Sequence, residues 1–156
     1  MQFDRDFKEF LECLAGRDVR YLVVGGYAVA AHGHPRYTGD LDLWVWTAAA
    51  NAESLLTALD DFGFGSVGLV ANDFTEPGRV VQLGYPPVRI DLLTSIDGVE
   101  FEGCFNRRVE VVVDGLPVPF IALDDLRRNK ASSGRPQDIA DLAALCWTMP
   151  WLTTAG

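Results

Sequence analysis

The chain has 156 residues, 49% of them apolar, so it is long and apolar enough to bury the core of a single domain spanning 1–156. A formal net charge of −9 repels phosphate backbones, which argues against bulk nucleic-acid binding but allows a local basic site for a nucleotide. Three widely spaced cysteines argue against a disulfide framework or a zinc cluster, and the longest apolar run is too short to span a membrane, so a cytoplasmic protein without membrane contacts is expected.

The first half of the chain predicts three helices that alternate with two short strands. Apolar residues recur at helical spacing from Phe3 to Leu14, which indicates a first helix that ends at Gly16. The apolar segment YLVV then predicts a strand that ends at the Gly25–Gly26 pair. The remaining elements of this half are a short helix that ends at Gly33, a strand over 40–46 and an amphipathic helix over 48–63.

The second half of the chain is β-rich in the middle and helical at its end. Two strands, over 79–85 and 88–94, are separated by a Pro-Pro pair. A hairpin over 107–122 follows, and then two helices over 122–132 and 135–147. Asp114–Gly115 is the turn signal of the hairpin. These patterns predict an α/β (α+β) fold, with a mixed β-sheet flanked by helices and a helical C-terminus.

Two aspartates open the second predicted strand, within the segment TGDLDLWV. Because side chains alternate along a strand, Asp40 and Asp42 point to one face and Leu41 and Leu43 to the other. Two carboxylates side by side repel each other, and a divalent cation such as Mg²⁺ or Mn²⁺ relieves the repulsion. The alternative is a turn aspartate followed by a capping aspartate, and this short pattern alone does not decide between the two.

A third carboxylate lies in a later strand-like segment, VRIDLLT. Val88, Ile90 and Leu92 form an apolar face, which places Asp91 on the opposite face. A charge in mid-strand is costly to bury unless it is paired or bound to a metal. Asp91 is therefore predicted either to join the other two acids at a metal site or to form a salt bridge, for which Arg89 and Arg36 are the nearest candidates.

The Gly25–Gly26 pair lies at the end of an apolar strand and directly before a helix. Backbone N–H groups there can bind an anion, and glycine lets a phosphate approach the backbone closely. The segment GGYAVA lacks the third glycine of a dinucleotide-binding fingerprint and the G-K-S/T of a Walker A loop. The informative feature is the order of strand, glycine pair, short helix and D-x-D strand.

Residues 23–45 (VVGGYAVAAHGHPRYTGDLDLWV), together with VRIDLLT, resemble the nucleotidyltransferase superfamily of DNA polymerase beta. They are most similar to small bacterial nucleotidyltransferase-like proteins related to the toxins of abortive-infection toxin–antitoxin systems. Those proteins share a glycine pair, the motif R-x-T-x-D-h-D, a later aspartate, and a lysine followed by R-x-x-D-h-x-D-L. The last two motifs are matched here by Lys130 and by RPQDIADL, with Arg135, Asp138 and Asp141, so the resemblance spans about 20–145.

The resemblance implies a metal-dependent nucleotidyltransferase that moves a nucleoside monophosphate from an NTP to an acceptor hydroxyl, with Mg²⁺ or Mn²⁺ as cofactor. Asp40, Asp42 and Asp91 would be both the catalytic residues and the metal ligands. The acceptor is left open among a small molecule, a tRNA and a protein, and the narrower resemblance adds a toxin function with an antitoxin partner. The implied nucleotide-binding residues are Gly25, Gly26, Arg36, Thr38, Lys130 and Arg135.

Two other functions compete with this one. Aspartyl phosphatases also use D-x-D, but there an apolar strand precedes the motif, whereas here HPRYTG precedes it and the apolar run follows. A non-catalytic module that binds a nucleotide or a partner stays open, because 156 residues leave little chain for recognising an acceptor. Stabilisation by a metal and an NTP would separate the enzyme from such a module.

The other polar and aromatic residues have structural interpretations. Asp138 and Asp141 lie three apart on a helix, where they either cap it and face solvent or form ion pairs that order Lys130 and Arg135. Trp44 and Trp46 are predicted to pack in the fold and not to stack on a base.

Overall fold

The structure is a computed structural model that describes residues 3–35, 38–65 and 67–146. Its strands are β1 Tyr21–Val24, β2 Asp40–Val45, β3 Val80–Tyr85, β4 Val88–Leu93, β5 Val109–Val113 and β6 Leu116–Phe120. Its helices are α1 Arg5–Gly16, α2 Gly25–Ala31, α3 Ala49–Phe62, α4 Phe101–Asn106, α5 Leu123–Ser133 and α6 Pro136–Cys146, with a 3₁₀ turn at Ala71–Phe74.

The strands form a six-stranded sheet in the order β3-β4-β2-β1-β6-β5. β2 pairs with β4 and β1 with β6 in parallel, whereas the other neighbours pair antiparallel, so the sheet is mixed. This arrangement, with helices around the sheet and two helices at the C-terminal end, confirms the predicted fold class. None of the helices formed by the described residues combines the length and apolarity needed to cross a membrane.

The core lies on the face of β2 that Leu41 and Leu43 share, and both leucines are completely buried. The helical spacing of the N-terminal apolar residues is confirmed, because α1 buries Phe7, Phe10, Leu11 and Leu14. α1 packs against α3 through an edge-to-face contact of Phe10 and Phe62, whose ring centroids are 5.2 Å apart. Burial of this face holds β2 in one orientation, and the opposite face of β2 therefore carries Asp40 and Asp42.

One helix that the sequence patterns do not predict is α4. It has six residues with Gly103 inside it, too short and too poor in helix formers to give a periodic signal. Its Phe101 packs against both tryptophans of the D-x-D strand region, at centroid distances of 5.2 Å to Trp44 and 6.5 Å to Trp46. The prediction that the tryptophans pack within the fold is confirmed.

Candidate active site

Strand register brings the three predicted acids together. In the parallel pair of β2 and β4, Asp42 lies opposite Asp91 and Asp40 lies opposite Arg89. Directly opposed residues of neighbouring strands project to the same face, so all three carboxylates and the guanidinium share one side of the sheet. The Asp91 side chain is 11% exposed and that of Asp40 is 34% exposed, which makes this cluster a partly solvated site at the sheet surface.

Arg89 joins two of the carboxylates. Its Nη2 donates to Asp40 Oδ2 at 2.6 Å and to Asp91 Oδ2 at 3.1 Å, while its Nε donates to Asp91 Oδ1 at 3.0 Å. The salt bridge predicted for Asp91 is therefore present, with Arg89, and Asp91 also lies with the other two acids, whose role at a metal site stays a prediction. The Arg89–Asp40 contact was not predicted, although the two-residue spacing of Arg89 and Asp91 places both on one face.

Asp42 is the carboxylate outside this bidentate contact. Burial and then the neighbouring charges of Asp91 and Asp40, partly opposed by the ammonium group of Lys130, together raise the pKa of Asp42 to about 7. Near neutral pH the acid is therefore divided between its protonated and ionised forms. A cation placed among the acids would favour the ionised form.

Gly25 makes room for the Asp42 carboxylate. It has a φ of +68°, which glycine adopts without strain, and a Cβ atom added there would lie 2.1 Å from Asp42 Oδ2. Any other residue would push the carboxylate away. Gly26 follows as a buried residue of the first turn of α2, so the glycine pair positions the acid and opens the space beside it.

The donor set suits a hard divalent cation, because Asp40, Asp42 and Asp91 present carboxylate oxygens on one face. As they stand, however, no three acidic, histidine or cysteine side chains of residues 3–35, 38–65 and 67–146 are arranged to hold a metal. We assign the absence of such an arrangement among these residues to the Arg89 guanidinium, which already supplies positive charge to Asp40 and Asp91. The residues fit a divalent cation in type, provided that Arg89 moves from between them.

A cavity adjoins the acids, and we call it the cationic cavity after Lys130 and Arg135 in its wall. It has a volume of about 270 Å³, and its wall includes Gly25, Asp42, Lys130, Ser133 and Arg135. Two predicted basic residues therefore lie beside the predicted glycine and carboxylate, although they are distant in the sequence. The predictions omitted other lining residues, which come from the loop after β4 and from α5 and carry no motif of their own: Ser95, Asp97, Asn129 and Ser133.

Lys130 is buried and fixed by two aspartates of α6. Its Nζ lies 2.7 Å from Asp138 Oδ1 and 3.2 Å from Asp141 Oδ2, and all three side chains are at most 4% exposed. Arg135, which is largely exposed, bonds Asp138 at 2.7 Å, and the Ser133 hydroxyl also donates to Asp138. The ion-pair interpretation of Asp138 and Asp141 is confirmed, and the solvent-facing alternative is wrong because helix packing buries both acids.

The charge state of Asp138 follows from these contacts. Burial alone would raise its pKa, but hydrogen bonds from Lys130, Ser133 and Arg135 outweigh burial and lower the pKa to about 2. Asp138 is therefore ionised at neutral pH and holds the Lys130 side chain in place beside the cavity.

Two further predicted residues flank the D-x-D strand. The hydroxyl of Thr38, half-buried, donates to the backbone carbonyl of Asp40 at 3.3 Å, so it supports the start of β2. Arg36 lies outside the described residues.

The metal-free protein should lose stability as pH rises. Asp42 has a pKa of about 7 in the folded protein against an ordinary value of 3.8, so the folded state binds the proton more tightly than the unfolded state. The stabilising contribution of protonated Asp42 to the free energy of unfolding is complete below about pH 4 and is lost as pH rises through about 7. Asp42→Asn should therefore be more stable than the wild type at pH 8, by up to about 4 kcal/mol, and equally stable at pH 4.

Urea unfolding in EDTA at several pH values measures this difference. Carboxylates away from Asp42 titrate equally in both proteins and cancel in the comparison. A stability difference that stays constant between pH 4 and 8 would contradict the raised pKa of Asp42.

Comparison with known proteins agrees with the resemblance seen in the sequence. Over residues 3–150 the chain matches the family described as "Nucleotidyl transferase of unknown function (DUF2204)". Comparison with curated protein sequences finds no match.

Solved structures share the fold at low sequence identity. A nucleotidyltransferase from Thermotoga maritima (TM1012) has a TM-score of 0.60 and 16% identity, over 95% of this chain and 91% of that one. The antibiotic-resistance factor ANT(2'')-Ia has a TM-score of 0.57 and 16% identity, over 90% and 80%. The lincosamide antibiotic adenylyltransferase LnuA has a TM-score of 0.54 and 13% identity, over 92% and 96%. Because the family match covers nearly the whole chain, this protein belongs to the nucleotidyl transferase family DUF2204.

Proposed function

We propose that this protein is a Mg²⁺- or Mn²⁺-dependent nucleotidyltransferase that moves a nucleoside monophosphate from an NTP to an acceptor hydroxyl. One observation carries the proposal: three carboxylates from two neighbouring strands share a face of the sheet and adjoin a cavity lined by Lys130 and Arg135. Carboxylates beside fixed cationic groups are what a triphosphate with its metal ion requires. A non-catalytic module would bind the nucleotide at the same cavity without transferring it.

Asp40, Asp42 and Asp91 are the residues that would hold the metal. When bound, the cation neutralises charge on the phosphate oxygens and lowers the pKa of the acceptor hydroxyl. With the metal bound, Arg89 would no longer contact Asp40 and Asp91, because both carboxylates would then bind the metal ion. Gly25 contributes by leaving space beside Asp42.

The remaining residues bind and orient the phosphates and move one proton. Lys130, held by Asp138 and Asp141, presents a fixed ammonium group to the triphosphate, and Arg135 adds a guanidinium at the cavity mouth. The acceptor oxygen forms a bond to the α-phosphorus, and the bond from that phosphorus to the bridging oxygen breaks to release pyrophosphate. We assign the proton of the hydroxyl to Asp91, the third carboxylate of the cluster.

An NTP should stabilise the protein only when Mg²⁺ or Mn²⁺ is present. Arg135→Gln should weaken NTP binding about tenfold, because the variant loses one charge-assisted contact with a phosphate. Arg135 is suited to this test because its side chain is 78% exposed, so its replacement should not affect folding. The measurements are the melting temperature and calorimetric titration with each NTP. Arg5→Gln, at an exposed arginine of α1 that also pairs with an acid, is the matched control.

Transfer itself is tested by incubating the protein with each α-labelled NTP, Mg²⁺ and cell lysate, with EDTA as the control. Absence of stabilisation by every metal–NTP pair would sink the enzyme proposal. Stabilisation without any labelled product would instead support the non-catalytic module.

We further propose a small molecule as the acceptor. Two fold neighbours are described with antibiotics, LnuA as lincomycin-bound and ANT(2'')-Ia in complex with adenylyl-2''-tobramycin. A labelled small molecule in the lysate experiment would support this choice. A labelled tRNA or protein would instead favour the toxin function with its antitoxin partner.

A further inference from the structure

A second cavity lies along the edge of the sheet, and the chemistry described above does not use it. It has a volume of about 630 Å³, within the range of small-molecule sites. We call it the edge cleft. Its walls are the edge strand β3, the segment after α3 and one residue of β4, represented by Phe64, Val67, Leu69, Val81, Gln82, Leu83, Tyr85 and Arg89.

The edge cleft is linked to the carboxylates through Arg89. This residue lines the cleft and also bonds Asp40 and Asp91. β3 is the direct neighbour of β4, and Gln82 of β3 lies opposite Asp91. The cleft therefore starts one strand away from the third carboxylate, at the hairpin end of β3 and β4.

The cationic cavity flanks the acids from another direction. Its wall includes Leu93, the last residue of β4, and Ser95 and Asp97 of the loop after it, whereas the edge cleft includes Arg89, near the start of β4. Arg89, Asp91 and Leu93 share one face of β4 because side chains alternate along a strand, and Asp91 lies between the other two. The two cavities are thus on opposite sides of Asp91 along β4.

In phosphoryl transfer the attacking and leaving oxygens are roughly in line across the phosphorus. If the triphosphate occupies the cationic cavity, pyrophosphate leaves on that side and the acceptor must enter from the other. We propose that the edge cleft holds the acceptor, an inference that rests on the proposed nucleotidyl transfer. The acceptor oxygen then bonds the α-phosphorus, pyrophosphate departs, and the proton of the hydroxyl passes to Asp91.

The lining determines the chemical class of the acceptor. It is dominated by apolar side chains, of which Tyr85 is 87% and Val67 53% exposed. Gln82 and Arg89 are its polar members, and none of the described lining residues is acidic. A cationic acceptor would find no acidic partner among these side chains, because their one charged member is Arg89. The acceptor is therefore a hydroxyl compound with an aromatic or alkyl body that is neutral or anionic.

Three fluorescent naphthols with the same ring test this class: naphthol itself, hydroxynaphthalene sulfonate and aminomethyl naphthol. Binding to the full chain is measured by fluorescence anisotropy and equilibrium dialysis. We expect the neutral or anionic compound to bind at least about tenfold more tightly than the cationic one. The double variant Val67→Asp, Tyr85→Asp should weaken that binding about tenfold and leave ATP affinity unchanged.

Both substituted residues are exposed, so the double variant should fold, and its circular dichroism and melting temperature verify this. Val112→Asp, at a valine that is 69% exposed on the other edge of the sheet, is the matched control and should bind the naphthols as the wild type does. Preference for the cationic naphthol, absence of binding by all three, or equal binding by the double variant would overturn the inference. Stabilisation by metal and NTP together with transfer of the label separates this failure from that of the proposed function, because both can be observed whether or not the naphthols bind.

Discussion

Replacing Asp42 with asparagine should reduce nucleotidyl transfer about a thousandfold or more while the fold stays intact. The carboxylate lies opposite Asp91 and beside Gly25, at the junction of the acid cluster and the cationic cavity. Losing one anionic ligand removes several kcal/mol of charge stabilisation in the transition state, and each 1.4 kcal/mol or so is a factor of ten in rate. The measurement is the rate of pyrophosphate release with the acceptor and NTP identified in the labelling experiment.

Asp114→Asn is the matched control for this substitution. Asp114 lies in the turn of the β5–β6 hairpin with a φ of +50°, a conformation that asparagine also adopts readily. It should leave both transfer and folding unchanged. Transfer by Asp42→Asn at the wild-type rate would show that the reaction does not use this acid.

The two expected effects of Asp42→Asn are opposite in sign. The substitution should reduce transfer, yet it removes a carboxylate whose ionisation is opposed by burial and by two neighbouring acids, so the variant should be the more stable protein above pH 7. Residues kept at a cost in stability are typical of functional sites. An aspartate at this position without a chemical task could be replaced at no loss, and this is a physical reason to assign Asp42 a task.

Replacing Arg89 with methionine should raise the affinity of the nucleotide-free protein for Mn²⁺ about tenfold or more. Arg89 satisfies Asp40 and Asp91 at 2.6 to 3.1 Å, so a metal ion must displace it before it can bind those carboxylates. Methionine keeps the aliphatic length and removes the charge that competes with the metal ion for Asp40 and Asp91. Arg89→Lys retains the charge and should raise the affinity less.

The affinity is measured from free Mn²⁺ by electron paramagnetic resonance, without nucleotide and without turnover. Arg79→Met is the matched control, because Arg79 also contacts two acids, Asp73 at 3.7 Å and Glu76 at 2.7 Å, away from the D-x-D strand. The same Arg89→Met protein should melt at a lower temperature in EDTA, since Asp40 and Asp91 lose their shared cation, and Mn²⁺ should restore the melting temperature. Equal Mn²⁺ affinity of wild type and Arg89→Met would refute the competition and leave the proposed reaction untouched.

Local sequence patterns predicted much of the fold and the residues of the candidate site. The alternation of Asp40 and Asp42 with Leu41 and Leu43 assigned a buried and a polar face to β2, because side-chain direction along a strand depends only on residue parity. The same rule placed Asp91 opposite its apolar neighbours. The end of α1 at Gly16 was also predicted locally, because glycine is a poor helix former.

What the tertiary structure decided was which of these local features meet. Strand pairing and register set Asp42 against Asp91 and Asp40 against Arg89, and the contact that makes Arg89 a shared counter-ion depends on that register. Burial turned Asp138 and Asp141 from helix-surface acids into the partners of Lys130. The edge cleft joins β3 to a segment some fifteen residues upstream that has no motif. Sequence alone determined the chemical groups and their faces because those depend on neighbours along the chain, whereas distances across the sheet depend on packing of the whole domain.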